Sequence, residues 1–242
     1  MMSGHRVRVG GRFAVLLFCF FGWITQAYAL KVSPLMLEIV APNGARTLNI
    51  EADSPNPVTV QIRVMRWSQV DGENVLEPTT DLVASPPFAT LQPKTNYTIR
   101  LVRQAEGGGE KEQTYRLLID QLPETPKGKA QVIGLTLRHS VPVFVRAPGV
   151  AKAKLDWSVE KGGSDLVVTA TNSGNRTARL TDIRVASGSA RVVVQAGLAG
   201  YVLPGQSMSW RKSAPKGFAA GPAKISARNE TETINAEVEI VP

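Results

Sequence analysis

Cysteine and histidine are almost absent from this chain of 242 residues, which has one Cys and two His. Cys19 and His5 lie in the N-terminal stretch, so His139 is the single residue of either type after residue 29. The rest of the chain can therefore form neither a disulfide bond nor a zinc or copper site with nitrogen and sulfur ligands. A chain of this length does not need disulfide bonds to fold stably.

Runs of like charge are missing as well, and so are long apolar segments after residue 29. The chain has 28 Lys and Arg against 20 Asp and Glu, but no five like charges follow one another. Scattered basic residues do not indicate a nucleic-acid partner. No later segment is long and apolar enough to predict stable insertion into a membrane.

The residues of a catalytic centre are also hard to find. His139 is followed by Ser140, but neighbouring residues of a strand point to opposite faces and cannot form a nucleophile–base pair. The acidic residues occur mostly singly, so no carboxylate pair is indicated. We therefore interpret His139 as a residue of a strand surface and expect no enzymatic activity, no metal and no cofactor.

Residues 1–29 have the three-part layout of a secretory signal peptide. Three arginines precede residue 13, an apolar core fills 13–24, and the small residues Ala27 and Ala29 flank Tyr28 as in a cleavage site. The apolar core is too short to span a bilayer. We predict cleavage after Ala29 and export of the mature chain.

The remainder of the sequence predicts an all-β protein of two immunoglobulin-like β-sandwich domains. Strand-like segments rich in Val, Ile, Thr and Tyr alternate with Gly, Pro, Asn and Ser turns, and no window shows helical periodicity. A boundary near residues 146–149 divides the chain into domains at 30–148 and 149–242, each a comfortable size for one sandwich. The short linker favours a fixed, bent (L-shaped) arrangement.

The run from residue 130 to residue 146 is the most informative. Ile133, Leu135, Leu137 and Val141 are separated by two or four residues, and this even spacing places them on one face of a long strand. Pro142 cannot donate to a sheet ladder, which favours an edge position. Soluble proteins usually protect a long apolar edge strand, so this one suggests a surface that pairs with another chain's strand. An ordinary buried strand remains the alternative.

Taken together, these features resemble the periplasmic pilus-assembly chaperones of the chaperone–usher pathway, the PapD-like family. The motifs that carry the resemblance occur in order along the chain, at 32–40, 56–67, 85–88, 91–93, 99–101, 112–117, 122–123, 144–148, 172–175, 178–180 and 201–205. The ending Ser140 to Val145 is similar to the archaic, spore-coat-type branch of the family.

The resemblance implies a function and partners. Pilin subunits of this pathway lack their last strand, and the chaperone supplies its own strand to fill the gap, which is donor-strand complementation. Ile133, Leu135, Leu137 and Val141 would then bind the subunit. The resemblance also implies delivery to an outer-membrane usher, a periplasmic location, no cofactor, and a homodimer capping its own donor strands as an alternative for the free protein.

The best-known members bind the terminal carboxylate of the subunit with an Arg and a Lys, and here those positions hold Leu37 and Pro142. A buried carboxylate still needs a cationic partner. Our candidates are Arg100 and Arg116, with Arg103 and Arg138 behind them, and the alternative for each is a solvated surface arginine. Glu112 and Arg146 correspond to the family's structural pair near the domain junction.

Two other classes of function remain open from the residues. A self-associating or surface immunoglobulin-like module would use the same strand to form homo-oligomers or fibres without a client. An exported enzyme would need an active site, which the sequence does not reveal.

Overall fold

The computed structural model describes residues 29–104, 109–123, 136–149, 152–215, 217–230 and 232–242. The predicted signal peptide lies outside these ranges except for Ala29, and so do the predicted donor residues Ile133 and Leu135. The described residues form seventeen β-strands. Within the same ranges, no helix is long and apolar enough to cross a membrane.

The N-terminal domain is a sandwich of two sheets built from ten strands. The first sheet has the order β1-β3-β8-β6, and the second has the order β2-β10-β9-β4-β5, with β7 also paired to the long strand β4. The strands are β1 (Ala29–Ser33), β2 (Leu37–Val40), β3 (Ala45–Asp53), β4 (Val58–Val70), β5 (Glu73–Pro78), β6 (Leu82–Ser85), β7 (Phe88–Leu91), β8 (Asn96–Arg103), β9 (Gln113–Gln121) and β10 (Arg138–Arg146).

Period-two alternation builds the core of this domain. Leu48 and Ile99 point inward from the first sheet, and Ile62, Leu117 and Val143 point inward from the second. All five side chains are buried, and their burial removes several hundred square ångströms of apolar surface from water, at about 25 cal/mol per Å². The intervening side chains of the second sheet therefore lie on its outer face.

The motif at 32–40, which resembles the first strand of the family, is divided between two strands in different sheets. β1 pairs antiparallel with β3 of the first sheet, and β2 pairs parallel with β10 of the second. The switch occurs at Pro34, which lacks the N–H that a continuing ladder needs. As a result β2 reaches β10 only from Val143 to Arg146.

The C-terminal domain is built from seven strands in the order β14-β13-β16-β17-β11-β12-β15. Its core includes Val159, Leu166, Val168, Leu180 and Ile225, all buried. The strands are β11 (Leu155–Gly162), β12 (Asp165–Asn172), β13 (Ala178–Ser187), β14 (Ala190–Val202), β15 (Ser207–Ser213), β16 (Gly221–Asn229) and β17 (Glu232–Val241). The all-β class and the two domains predicted from the sequence are confirmed.

The turn at 172–175 packs against residues 152–154, which begin the C-terminal domain. The buried amide of Asn172 donates to the carbonyl oxygens of Arg176 and Val202 and accepts from the N–H of Gly174. A Cβ at Gly174 would lie 2.5 Å from backbone atoms of Lys152 and Lys154, so this close approach requires glycine.

Candidate functional site

Strand β10 has an open edge over half of its length. On one side it pairs with β9 from Arg138 to Val145, whereas on the other side β2 begins only at Val143. Among the described strands, none pairs with the remaining edge from Arg138 to Pro142. This is the segment that contains Pro142, which agrees with the edge position predicted from the proline.

The hydrogen-bonding groups of this edge follow from the ladder. Gln121 donates its N–H to the carbonyl oxygen of Leu137 at 3.0 Å, so the odd-numbered residues of β10 bond to β9. The backbone groups of Arg138, Ser140 and Pro142 therefore point to the open side. Arg138 and Ser140 offer two N–H donors and two carbonyl acceptors, whereas Pro142 has no N–H and the pairing of Val143 with Leu37 directs the Leu37 N–H to the Pro142 carbonyl. An incoming strand would find a ready template there.

The predicted donor residues divide into two groups along this strand. Leu137 is 40 % exposed at the end of the described segment, on the same face as Val141. Val141 lies opposite Leu117 and is 3 % exposed inside the core of its own domain. Its assignment as a side chain that fills a partner's groove is therefore wrong, because its face is already covered by the first sheet. Leu35, which precedes β2 at the same edge, is 74 % exposed.

Arg116 lies on the outer face of the second sheet, directly between Met65 of β4 and Pro142 of β10. Its guanidinium carbon stands 3.8 Å from the ring centroid of Trp67 and 5.3 Å from that of Tyr201. Burial lowers the pKa of Arg116. Among the residues that the structure describes, no carboxylate pairs with it. A half-buried, unpaired guanidinium thus lies next to the end of the open edge.

The other three candidate arginines are placed differently. Arg100 lies on β8 of the first sheet, between the buried Ile99 and Leu101, and faces solvent on the opposite side of the sandwich from Arg116. The two therefore cannot converge on one carboxylate, so only one of these two candidates can be the anchor of a given strand end. Arg103 ends β8, opposite Leu82 of β6.

Arg138 is engaged with an acid at the start of β10. Asp120 of β9 accepts hydrogen bonds from Arg138 and from Arg63 of β4, so one carboxylate ties three neighbouring strands together. Partial burial acts to raise the pKa of Asp120, but the two arginines outweigh it and the pKa is lowered. We infer that these three residues fix the start of β10, and that Arg138 is engaged there instead of being free to bind a carboxylate.

An aromatic cluster joins the two domains beside Arg116. Trp67 and Phe144 of the N-terminal domain pack against Tyr201 and Leu203 of the C-terminal domain. Trp67 meets Tyr201 edge to face, with ring centroids 5.4 Å apart. The sequence motifs included Trp67 and Tyr201 without indicating that they meet.

A buried amide holds this cluster in place. Gln69, which is 2 % exposed, donates to the carbonyl oxygen of Tyr201 at 2.8 Å and accepts from the N–H of Leu203 at 3.0 Å. Asn74 accepts from both Gln69 and the indole N–H of Trp67. Neither Gln69 nor Asn74 was predicted as a site residue, because in the sequence each is only an isolated polar residue.

A second polar contact crosses the junction at Glu112. Its carboxylate accepts from the backbone N–H of Thr177 at 2.8 Å, and its own N–H donates to the carbonyl oxygen of Asn175. Glu112 was predicted to pair with Arg146, but Arg146 instead bonds to Glu38 at 3.2 Å. Both residues do lie at the junction, as the resemblance implied. The direct pair is not formed because Glu38 of β2, the neighbour of β10, takes the guanidinium.

The partly buried carboxyl group of Glu112 predicts how the folding stability depends on pH. Burial raises the pKa of its carboxyl above the ordinary value of 4.5, against the smaller effect of the Thr177 hydrogen bond. Between 4.5 and the raised pKa the folded protein binds more protons than the unfolded chain, so stability falls as pH rises through this window. We expect Glu112→Gln, which keeps an oxygen acceptor for Thr177 but does not titrate, to flatten that slope in urea unfolding followed from about pH 4 to pH 8.

The wild-type chain is the reference for this experiment. The titration of Asp120 does not contribute to the expected slope. The pKa of Asp120 lies below its ordinary value of 3.8, so its contribution to stability is lost only at lower pH. An equal slope in Glu112→Gln and wild type above pH 4.5 would contradict the role given to Glu112.

Comparison with known proteins gives a family match and a set of similar folds. The family model described as "Pili and flagellar-assembly chaperone, PapD N-terminal domain" matches residues 29–151. No curated protein gives a significant match by sequence.

Several solved structures share the fold across both domains. The chain is similar to one in the pre-assembly complex of CsuC with the tip adhesion subunit CsuE, from archaic chaperone-usher Csu pili of Acinetobacter baumannii. The TM-score is 0.66 and the identity 22 %, over 88 % of this chain and 100 % of that one. It is also similar to a chain in the complex of the SafA pilin with the SafB chaperone of Salmonella enterica, with a TM-score of 0.61 and 19 % identity over 88 % and 97 % of the chains. The chaperone DraB of E. coli matches with a TM-score of 0.57 and 18 % identity, over 89 % and 99 %.

Proposed function

The chain belongs to the family of pili and flagellar-assembly chaperones that contain a PapD N-terminal domain, and from this premise we propose that it binds pilin-type subunits by donor-strand complementation. The observation that carries the proposal is the open edge of β10 from Arg138 to Pro142, next to the exposed Leu137. We further propose that it acts in the periplasm, after removal of the predicted signal peptide, and delivers subunits to an outer-membrane usher. No catalytic step and no cofactor are part of this proposal.

We propose that the incoming strand runs parallel to β10, as β2 does along the same side. β2 already runs parallel to β10 along the same side and begins opposite Val143. A subunit strand that occupies the vacant stretch before it runs in the same direction and ends where β2 starts. Its terminal carboxylate then lies near Pro142, where the absent N–H leaves nothing for a further residue to bond.

Arg116 is the residue that we propose as the carboxylate anchor. It lies opposite Pro142 on the neighbouring strand, it is half-buried, and its guanidinium lacks an acidic partner within the described ranges. A guanidinium binds a carboxylate through two parallel hydrogen bonds, which is the strong form of this interaction. The same ion pair thus compensates the negative charge of the subunit's terminal carboxylate and the positive charge of the partly desolvated Arg116.

The apolar side chains before β10 complete the interaction. Leu137, with Ile133 and Leu135 of the sequence run, would fill the groove that the subunit's missing strand leaves open. Each fully buried aliphatic side chain contributes about 1.5–3 kcal/mol. Three of them supply several kcal/mol, less the entropy lost when the segment and the subunit become ordered. No nucleotide is needed for such an exchange of strands.

Co-expression with a pilin-type subunit in the periplasm tests the proposed function. We expect a stable one-to-one complex, because the chain supplies a strand edge and the subunit lacks one. A self-associating module instead predicts homo-oligomers or fibres of the purified chain in gel filtration, with no subunit bound. A homodimer that dissociates when a subunit is added agrees with the chaperone, whereas one that persists supports the self-associating module.

A further inference from the structure

The contacts of Arg116 cross the domain boundary, and from them we infer that Tyr201 of the C-terminal domain is a positioning residue for the carboxylate anchor. This inference rests on the proposed function, in which Arg116 binds the subunit. It adds that subunit capture depends on a side chain outside the domain that supplies the donor strand.

Two aromatic rings confine the guanidinium of Arg116. Its carbon lies 3.8 Å from the ring centroid of Trp67 and 5.3 Å from that of Tyr201. The two rings are nearly perpendicular to each other, with an interplanar angle of 83°. A planar guanidinium stacked on an aromatic face keeps its edge N–H groups free. The stack therefore limits the rotamers of a long side chain while leaving its hydrogen-bonding fork available to a carboxylate.

The position of Tyr201 is set by the N-terminal domain. The side chain of Gln69 donates to the carbonyl oxygen of Tyr201 and accepts from the backbone N–H of Leu203. The same amide reaches Asn74, which accepts from the indole N–H of Trp67. Both rings that flank Arg116 are thus held by one hydrogen-bonded unit that spans the junction.

A coupling between the domains and the subunit follows from this arrangement. If domain packing places Tyr201 against Arg116 and this favours carboxylate binding, then a bound carboxylate must favour the same packing to the same extent. The C-terminal domain then takes part in recognition through Tyr201, even though the open edge lies wholly in the N-terminal domain.

A pair of peptides separates positioning from plain structural support. The probes are a synthetic heptapeptide of alternating Val and Thr with a free C-terminal carboxylate and the same peptide with a C-terminal amide. Isothermal titration calorimetry gives the ratio of the two dissociation constants for each variant of the full chain. We expect wild type and Tyr201→Phe to prefer the acid, and Tyr201→Ala to reduce that preference by about fivefold, the order of one cation–π contact.

The outcomes distinguish the inference from the function on which it rests. A general weakening of the junction in Tyr201→Ala lowers the affinity for both peptides equally and leaves the ratio unchanged, which overturns the inference alone. Wild type that binds both peptides equally overturns the anchor and the inference together. Wild type that binds neither peptide overturns strand addition at β10 as well. Loss of the preference in Tyr201→Phe also contradicts us, since that variant keeps the ring.

Discussion

Leu137→Asp is expected to abolish recovery of the pilin-type subunit with this chain, while Leu76→Asp leaves recovery at the wild-type level. In the proposed complex Leu137 enters an apolar groove, where a carboxylate would have to be buried without a partner. Such burial costs several kcal/mol, and about 4 kcal/mol corresponds to an affinity roughly a thousandfold lower. Affinity pull-down from periplasmic extracts, with the subunit quantified against the chaperone, measures the effect.

Leu76 is a closely matched control for this substitution. It is 38 % exposed, against 40 % for Leu137, and it lies on β5, at the opposite end of the same sheet. Both substitutions place a charge on a partly exposed leucine at a free margin of this sheet, so their effects on stability should be similar. Equal recovery of the subunit with both variants would show that the donor strand is assigned to the wrong edge.

Strand β10 and Leu137, the residue before it, show how far the sequence alone could lead. Period-two alternation predicted the strand, and Pro142 predicted an edge, because both follow from local backbone geometry. Alternation could not show where the protein's own core ends, since Leu137 and Val141 lie on the same face. Val141 is covered by the opposing sheet and Leu137 is not, and that difference depends on the extent of strands distant in sequence.

The choice among the arginines needed sheet membership, which is a tertiary property. Arg100 and Arg116 each sit at an outward position of a predicted strand, so their local patterns are alike. Pairing places β8 in one sheet and β9 in the other, which puts the two side chains on opposite faces. The roles of Gln69 and Asn74 were beyond the sequence for the same reason, because their partners come from separate strands and, for Gln69, from the other domain.

Arg116→Ala is the second substitution with a large expected effect. Removing one partner of a buried, hydrogen-bonded charge pair costs about 2–5 kcal/mol, since the other charge stays buried without compensation. The subunit's dissociation constant should therefore rise by about thirtyfold or more. Arg116→Lys should recover only part of the loss, because an ammonium group keeps the charge but neither stacks flat on Trp67 nor binds a carboxylate with a planar fork. Competition binding with a labelled subunit gives these constants.

Arg100→Ala is the matched control, because it removes the same side chain from the same domain but from the face that is turned away from the open edge. We expect it to bind the subunit as wild type does. Full complex formation by both alanine variants would defeat the anchor and leave strand pairing as the sole source of affinity. Loss of binding in Arg100→Ala alone would move the carboxylate to the first sheet. A strand that ends there cannot lie along the free half of β10, so that result would also contradict the direction inferred from β2.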